Sequence, residues 1–308
     1  MNRFALALLV LVSTLLNAQS PNKNPNKSEP PILGPHRARD VPKPATTNSN
    51  DLLYHGGPIL PTASVQAIFW GSSWGTSPGD KITGMNVFYE SEGGTPYAAT
   101  VNEYTDSTGH QVSSSLTYGG YIVDTTSSPK HPSTSQVLGE VCRRISNPQT
   151  NGYYPVYIDH PRKGNYCAYH SWGSCGGVEV QFGFFWKLDG DAGCDPQSTV
   201  SGESQGLQAL ANVSGHELSE TRSDPHGDAW YASNGEENAD ECAWTFGGPY
   251  VSFNSSTYPK WKIQGNWSNE ANDGTSPNGP GYTTPQNGFG VSGTGCVDGT
   301  NKKGPYTQ

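Results

Sequence analysis

Residues 178–188 (Val-Glu-Val-Gln-Phe-Gly-Phe-Phe-Trp-Lys-Leu) constrain the fold more than any other stretch of this chain. Val178, Val180, Phe182, Phe184, Trp186 and Leu188 occupy one set of alternate positions; Glu179, Gln181, Gly183, Phe185 and Lys187 occupy the other. Only an extended strand sends alternate side chains to opposite faces. A sheet must therefore run through this segment, and its apolar face needs a second layer to cover it.

Helical patterns supply that layer. After a loop with Gly190, Gly193 and Pro196, residues 204–222 place Leu207, Leu210, Ala211 and Leu218 on one side, and Pro225 stops the run. Upstream, Ser133 with Gln136 three residues later forms a capping box ahead of Val137, Leu138, Val141 and Ile145. Residues 80–89 read as a shorter helix through Ile82, Met85 and Phe88 or Tyr89. Residues 64–70, 121–124 and 154–159 read as strands, with shorter candidates at 250–253 and 261–263 in a Gly-, Asn- and Thr-rich tail. This alternation predicts one α/β sandwich over residues 51–308, with a mixed sheet and a loop-rich C-terminal part.

The helix at 204–222 carries His216-Glu217-Leu218-Ser219-Glu220, one residue away from the His-Glu-x-x-His signature of zinc peptidases. On a helix, His216 and Glu220 stand one turn apart on the same face. They offer two metal ligands, and Glu217 beside them is placed to serve as general base. A hydrolytic zinc site needs a third protein ligand and one open position. Downstream, Asp224, His226, Asp228, Glu236, Glu237 and Asp240 are available. His226 has the metzincin spacing, but Thr221-Arg222-Ser223 lacks the glycine of that pattern. Glu237 and Asp240 lie 21 and 24 residues after His216, a distance that resembles the gluzincin peptidases. Glu237 is thus the favoured third ligand, with Asp240 as ligand or support. Such a carboxylate-rich set suits zinc and would also admit another divalent metal such as Mn²⁺ or Ca²⁺. His170, three residues after Cys167, is a candidate for stabilising an oxyanion. Ser171 and Ser219 have no Gly-x-Ser-x-Gly context, which argues against a serine hydrolase.

The termini and composition place this core outside the cell. Residues 1–18 combine a basic start, an apolar run over 4–16 and a small-residue cleavage site, as in a signal peptide. Residues 19–50 are rich in Pro, Asn, Ser and Lys and read as a disordered arm. Six cysteines in an exported chain read as disulfides, with fifteen possible pairings, although Cys142 on a helix also suits a buried thiol. A net charge of -9 argues against nucleic acid as partner, and no later stretch is apolar enough to span a membrane.

Several motifs together resemble the EXORDIUM or phosphate-induced-protein family. Tyr54-His55-Gly56-Gly57-Pro58 with Ala67-Ile68-Phe69-Trp70-Gly71 looks like its opening motif, and Cys167-Ala168-Tyr169-His170-Ser171 like its central element. His216 to Glu220, then Asp224-Pro225, Ala229-Trp230-Tyr231, Glu237, Asp240 and Cys242, is similar to its longest motif; Trp267-Ser268-Asn269 and Cys296 are similar to its close. The likeness covers most of the mature chain. It implies an exported protein, linked in plants with the cell-wall space, and brings no settled activity. It favours His216, Glu220, Glu237 and Asp240 as ligands over His226.

The leading expectation is a secreted, zinc-dependent, metallopeptidase-like hydrolase with a zincin-like core, acting on peptides or proteins. The alternatives are a non-catalytic extracellular or wall protein with a structural metal, and a carbohydrate-binding module using the many Trp and Tyr residues, with cell-wall polysaccharide as partner.

Overall fold

A computed structural model of the protein describes residues 29–42, 51–273 and 295–300. The expected signal peptide and residues 19–28 and 43–50 of the expected arm lie outside the described residues. Six strands make the main sheet: β1 (Leu33–Arg37), β2 (Ala63–Trp70), β3 (Leu116–Asp124), β4 (Gly152–Pro161), β5 (Tyr166–Cys175) and β6 (Val178–Lys187), in the order β1-β5-β6-β4-β2-β3. Strands β3, β2, β4 and β6 run parallel; β5 is antiparallel to β6 and to β1. The sheet is mixed, as the sequence pattern predicts.

One expectation needs correction. Residues 33–37 were expected inside a disordered arm, yet they form the edge strand β1. Composition cannot see this, because the segment has too few apolar residues to fold by itself and is ordered by docking on β5 and on side chains from the C-terminal part. Strand β6, which leads toward the motif helix, is interior, flanked by β4 and β5. The unrecognised strand β5 (Tyr-Cys-Ala-Tyr-His-Ser-Trp-Gly-Ser-Cys) lacks an apolar alternation because one of its faces carries polar site residues. It joins β6 through Gly176-Gly177, whose φ of 61° and 90° fit the twist-compatible two-residue hairpin turn.

Helices α1 (Lys81–Glu92) and α3 (Gln205–Ser223) cover one face, and α2 (Thr134–Arg144) covers the other. Tyr157 on β4 marks the first face, its hydroxyl lying 2.7 Å from Ser214 Oγ on α3 and 2.8 Å from Tyr89 Oη on α1. Gly84 lets α1 approach α3, since a Cβ there would overlap Leu207. On the opposite face Gly173 makes room for Leu138 of α2. The capping box at Ser133 and Gln136 forms as expected.

The six cysteines pair as Cys142–Cys175, Cys167–Cys194 and Cys242–Cys296. Cys142 is therefore bridged, not a free thiol. Two bridges anchor β5, to α2 and to the loop after β6. The third ties the chain after α4 (Asn238–Glu241) to the short ribbon Asn266–Trp267/Cys296–Val297. Loops of this length give each bridge about 4 kcal/mol in the chain-entropy picture. No helix among the described residues is long and apolar enough to cross a membrane.

Candidate metal centre

Helix α3 is unusual for its sequence, because every residue from Gly206 to Ser223 is buried. Ser204 caps it by accepting from Leu207 N (3.1 Å), and the chain turns out at Asp224-Pro225. A helix this polar can be buried only if its polar groups find partners. The irregular C-terminal part supplies several: Lys262 N donates to Gln208 Oε1 (2.8 Å) and Gln264 N to Asn212 Oδ1 (2.9 Å).

The motif residues lie in the last turns of α3. His216 Nε2 stands 3.1 Å from Glu220 Oε1, one helical turn on. The short helix α4 brings the downstream acids to them. Glu237 is its N-cap and Asp240 its third residue, and each side chain caps the other's backbone. Asp240 N also donates to Glu220 Oε1 (2.9 Å). From β5, His170 comes in beneath Gly34, with Nε2 3.3 Å from Glu237 Oε2 and 3.9 Å from Glu220 Oε2.

Two ligand groups result, His170-Glu220-Glu237 and His216-Glu220-Asp240, each with donor atoms within 4.8 Å of one another. Glu220 belongs to both. The spacing sequence read as one site with Glu237 or Asp240 thus divides, with Glu237 beside His170 and Asp240 beside His216. Zinc bonds of 2.0–2.2 Å imply donor–donor edges of about 3.3–3.6 Å in a tetrahedron. The observed 3.1, 3.3, 3.6 and 3.9 Å bracket that range. The mix of imidazole and carboxylate suits a transition metal better than calcium.

The surroundings treat the two histidines differently. Gln264 fills the space behind His216. Its Oε1 accepts from Trp244 N (3.1 Å) and His36 Nε2 (2.8 Å), and its Nε2 donates to Ala239 O (2.8 Å) and His216 Nδ1 (2.9 Å). The backbone groups of Trp244 and Ala239 fix this orientation, since neither can reverse its role. With Nδ1 accepting, a neutral His216 ring carries its proton on Nε2, 3.1 Å from Glu220 Oε1. Metal binding at Nε2 requires the opposite tautomer, and therefore a turned Gln264 amide. His170 Nδ1 has no hydrogen-bond partner among the described residues, so its ring is engaged only at Nε2, 3.3 Å from Glu237. The expected result is that ¹⁵N shifts of the metal-free protein report an Nε2–H tautomer at His216; an Nδ1–H signal there would contradict this network.

Burial, then mutual repulsion, sets the charges. Burial pushes Glu217 and Glu220 well above the usual carboxylate range, and Asp240 and Glu237 push both further. Burial does the same to Glu237, with the Gly34 backbone pulling it partly down. His170 is lowered to about 4, mainly by burial. The His170–Glu237 contact is therefore a neutral hydrogen bond and not an ion pair. So many buried acids cannot all ionise without compensation, so the cluster holds either protons or a cation. Glu217 accepts no hydrogen bond of ordinary geometry among the described residues. Tyr153 of β4, whose hydroxyl is likewise buried without a partner, feels Glu217 as its first electrostatic neighbour.

The structure brings together five of the six sequence candidates, His170, His216, Glu220, Glu237 and Asp240, with His170 standing among the ligand atoms themselves; Glu217 is in neither ligand group and is an electrostatic neighbour of Glu220. His226 stays away, stacked on Trp172 and 3.0 Å from Glu179. Asp159 accepts from Ser73 and Ser128 (2.9 Å each), and His55 stacks on Tyr231. Sequence reasoning missed Gln264, His36 and Gly34. Gln264 sits in a stretch without a motif, and His36 and Gly34 lie in a segment read as unfolded.

Fold and site together define a disulfide-braced, three-layer α/β protein with a buried histidine–carboxylate cluster at the end of its central helix. No family model, curated protein or solved structure matches the chain.

Proposed function

We propose that this chain is a secreted, metal-dependent hydrolase of peptide bonds, with zinc as its metal, and that it is related to the EXORDIUM-like proteins whose motifs it resembles. The convergence of His170, His216, Glu220, Glu237 and Asp240 on a shared carboxylate, with Glu217 beside them, carries this reading. A long helix bearing His-Glu-x-x-Glu on one face of a mixed sheet supports a zincin-like core. The three disulfides fit an oxidising, extracellular setting.

A divalent metal bound there supplies Lewis acidity toward the scissile carbonyl. Glu217 takes a proton from the attacking water and returns it to the leaving amine. Burial raises its pKa, which strengthens it as a proton acceptor. The Tyr153 hydroxyl, with no competing acceptor, is available to steady developing negative charge.

Elemental analysis of the purified chain and peptide hydrolysis by Glu217→Gln form the test. The expected result is one or more equivalents of zinc in both proteins and a loss of about 10²–10⁴-fold in turnover in the variant. A chain that takes up no metal from excess zinc rules the reading out. One observation favours the structural-metal alternative: Gly34 lies directly over Glu220, so the centre is covered in this conformation. Metal without cleavage in any form of the protein would decide for it. Seven of the eight tryptophans, Trp70, Trp74, Trp186, Trp230, Trp244, Trp261 and Trp267, are buried, which leaves half-buried Trp172 and exposed tyrosines such as Tyr121 to a carbohydrate-module reading.

A further inference from the structure

Strand β1 lies across the metal centre in an unusual way. Its partner β5 is the strand that carries His170, and the register pairs Leu33 with His170, His36 with Ala168 and Arg37 with Tyr166. Between Leu33 and His36 the chain has one residue more than its partner, a bulge at Gly34-Pro35 directly over the cluster. Gly34 has φ +42°, and a Cβ there would overlap Glu220 Oε2 and stand 2.9 Å from His170 Nε2. Two residues on, His36 is fully buried, with its ring 4.2 Å from His216 and 4.5 Å from Trp244. The segment thus lays an extended backbone against the ligand atoms, with no side chain at the closest point and an aromatic anchor just beyond.

Cavities flank it on both sides. One of about 270 Å³ lies beyond Arg37 and Ala38 and reaches Asp240 and Trp244. Another of about 230 Å³ lies beside Leu33 and Gly34 and reaches Asp224, Tyr231 and Glu237. The segment is held mainly through its backbone: Ser171 Oγ donates to Pro31 O (2.6 Å), Trp244 Nε1 to Arg37 O (2.9 Å), and Arg39 N to Gly193 O (2.7 Å). Main-chain pairing on a sheet edge with pockets for alternate side chains is the way extended peptides are recognised. Arg37 and Arg39 also bring positive charge to an acidic site.

We infer that the edge of β5 is a peptide-binding groove, and that residues 30–37 are its tethered occupant, holding the metal centre shut until they are displaced. The inference rests on the hydrolase reading for its purpose but not for its test. The groove takes an extended peptide antiparallel to β5, with glycine over Glu220 and an aromatic or histidine side chain two residues later. While β1 is seated, a substrate carbonyl has no path to the ligand atoms. With β1 seated the chain is closed, and its local opening bares β5 as an edge ready to pair and admits substrate.

Hydrogen exchange on the intact wild-type chain comes first. The amides of Leu33, Gly34, His36 and Arg37 should exchange by local opening, at least about 10²-fold faster than those of Val156, Tyr157 and Ile158 in β4. Equal, globally limited exchange in both strands would make β1 an integral strand and overturn the inference. The second experiment uses the full chain carrying Gly34→Val, which cannot seat over Glu220, with a labelled synthetic peptide of residues 29–42 as probe. The variant should bind the peptide with a micromolar Kd and the wild type at least tenfold more weakly. A peptide with leucine in place of its glycine should lose at least tenfold. A folded variant that binds no peptide overturns the groove. If Gly34→Val does not fold, His36→Ala serves with the same readouts, and unchanged exchange and no peptide binding in it count against the inference. None of these readouts needs metal or cleavage. Peptide binding without metal uptake would remove the hydrolase reading and leave the groove; metal uptake without peptide binding would do the reverse.

Discussion

Glu220→Gln is expected to abolish metal binding at both ligand groups at once. Glu220 is the one carboxylate shared between them, its Oε1 facing His216 and its Oε2 facing His170. Glutamine keeps the shape and can still accept from Asp240 N through its oxygen. Yet it places an uncharged NH₂ group where a ligand atom should be. Zinc in protein sites is worth about 10–16 kcal/mol over its ligands, so losing one charged ligand costs on the order of 10²–10³-fold in affinity. Calorimetric titration with zinc measures this directly. Glu236→Gln is the control: Glu236 is a buried acid beside Asp240 that belongs to neither group, and its replacement should leave affinity within about threefold. Equal losses in both variants would mean that the cluster attracts cations only through its summed charge. The metal-free Glu220→Gln protein should also be more stable than the wild type above neutral pH, because one buried acid no longer has to ionise or stay protonated against the solvent.

The parts of the fold visible in sequence were those whose signal is local. The period-two run at 178–188, the capping box at Ser133-Gln136 and the helix ended by Pro225 each express a short-range rule, and each stands where the sequence places it. Strand β5 was invisible because its alternation is not apolar against polar. His170 and Trp172 point to the site face, and cysteines and Tyr169 point to the other; one row is buried throughout, the other is buried at Ala168 and His170 and half-buried at Tyr166, Trp172 and Ser174, and both mix polar with apolar residues. Strand β1 was invisible for a different reason, since its partners, β5, Trp244 and Gln264, all lie more than 120 residues away. The site was legible as residue types and spacing: His216 and Glu220 through helix geometry, Glu237 and Asp240 through their distance from the motif. The division of ligands between two histidines was not legible, because His170 reaches the cluster through the pairing of β5. Gln264 was not legible either, because its role depends on backbone groups of Ala239 and Trp244 that only the folded chain brings together.

Without metal, the protein should be most stable near pH 4.5 and should weaken as the pH rises toward 8, the reverse of the common pattern. The sign follows from proton counts. Buried acids hold their protons longer in the folded chain than in the unfolded one: Glu103 is raised to about 7 and Glu92 to about 8, both mainly by burial, and Glu217, Glu220, Glu237 and Asp224 are raised well above their usual range. Above about pH 4.5 the unfolded chain releases these protons and the folded chain does not, so unfolding gains with each step in pH until the folded groups titrate. Two histidines act in the opposite direction. His36 and His170 are lowered to about 4, mainly by burial, so between pH 6.5 and 4 only the unfolded chain takes up their protons, and stability falls with acid. Between about pH 4.5 and 6.5 the six acids outnumber the two histidines, and the net slope favours low pH. Below that range the acids are neutral in both states and the histidines win. They are joined by Asp124, whose carboxyl is held down to about 2, against its burial, by hydrogen bonds from Glu140, Thr126 and Arg144. Thermal melts from pH 3 to 9 in the presence of chelator should therefore trace a maximum near pH 4.5. Zinc should lift the melting temperature little at pH 5, where protons compete for the ligands, and strongly at pH 7.5. At a hundredfold excess over its Kd the gain is about 2.7 kcal/mol. A chelated protein whose stability climbs steadily from pH 5 to 8 would show that the buried acids are ionised and already paired, and the cluster would then have no need of a cation. A falling profile that zinc reverses is what a centre built to exchange its protons for a metal must produce.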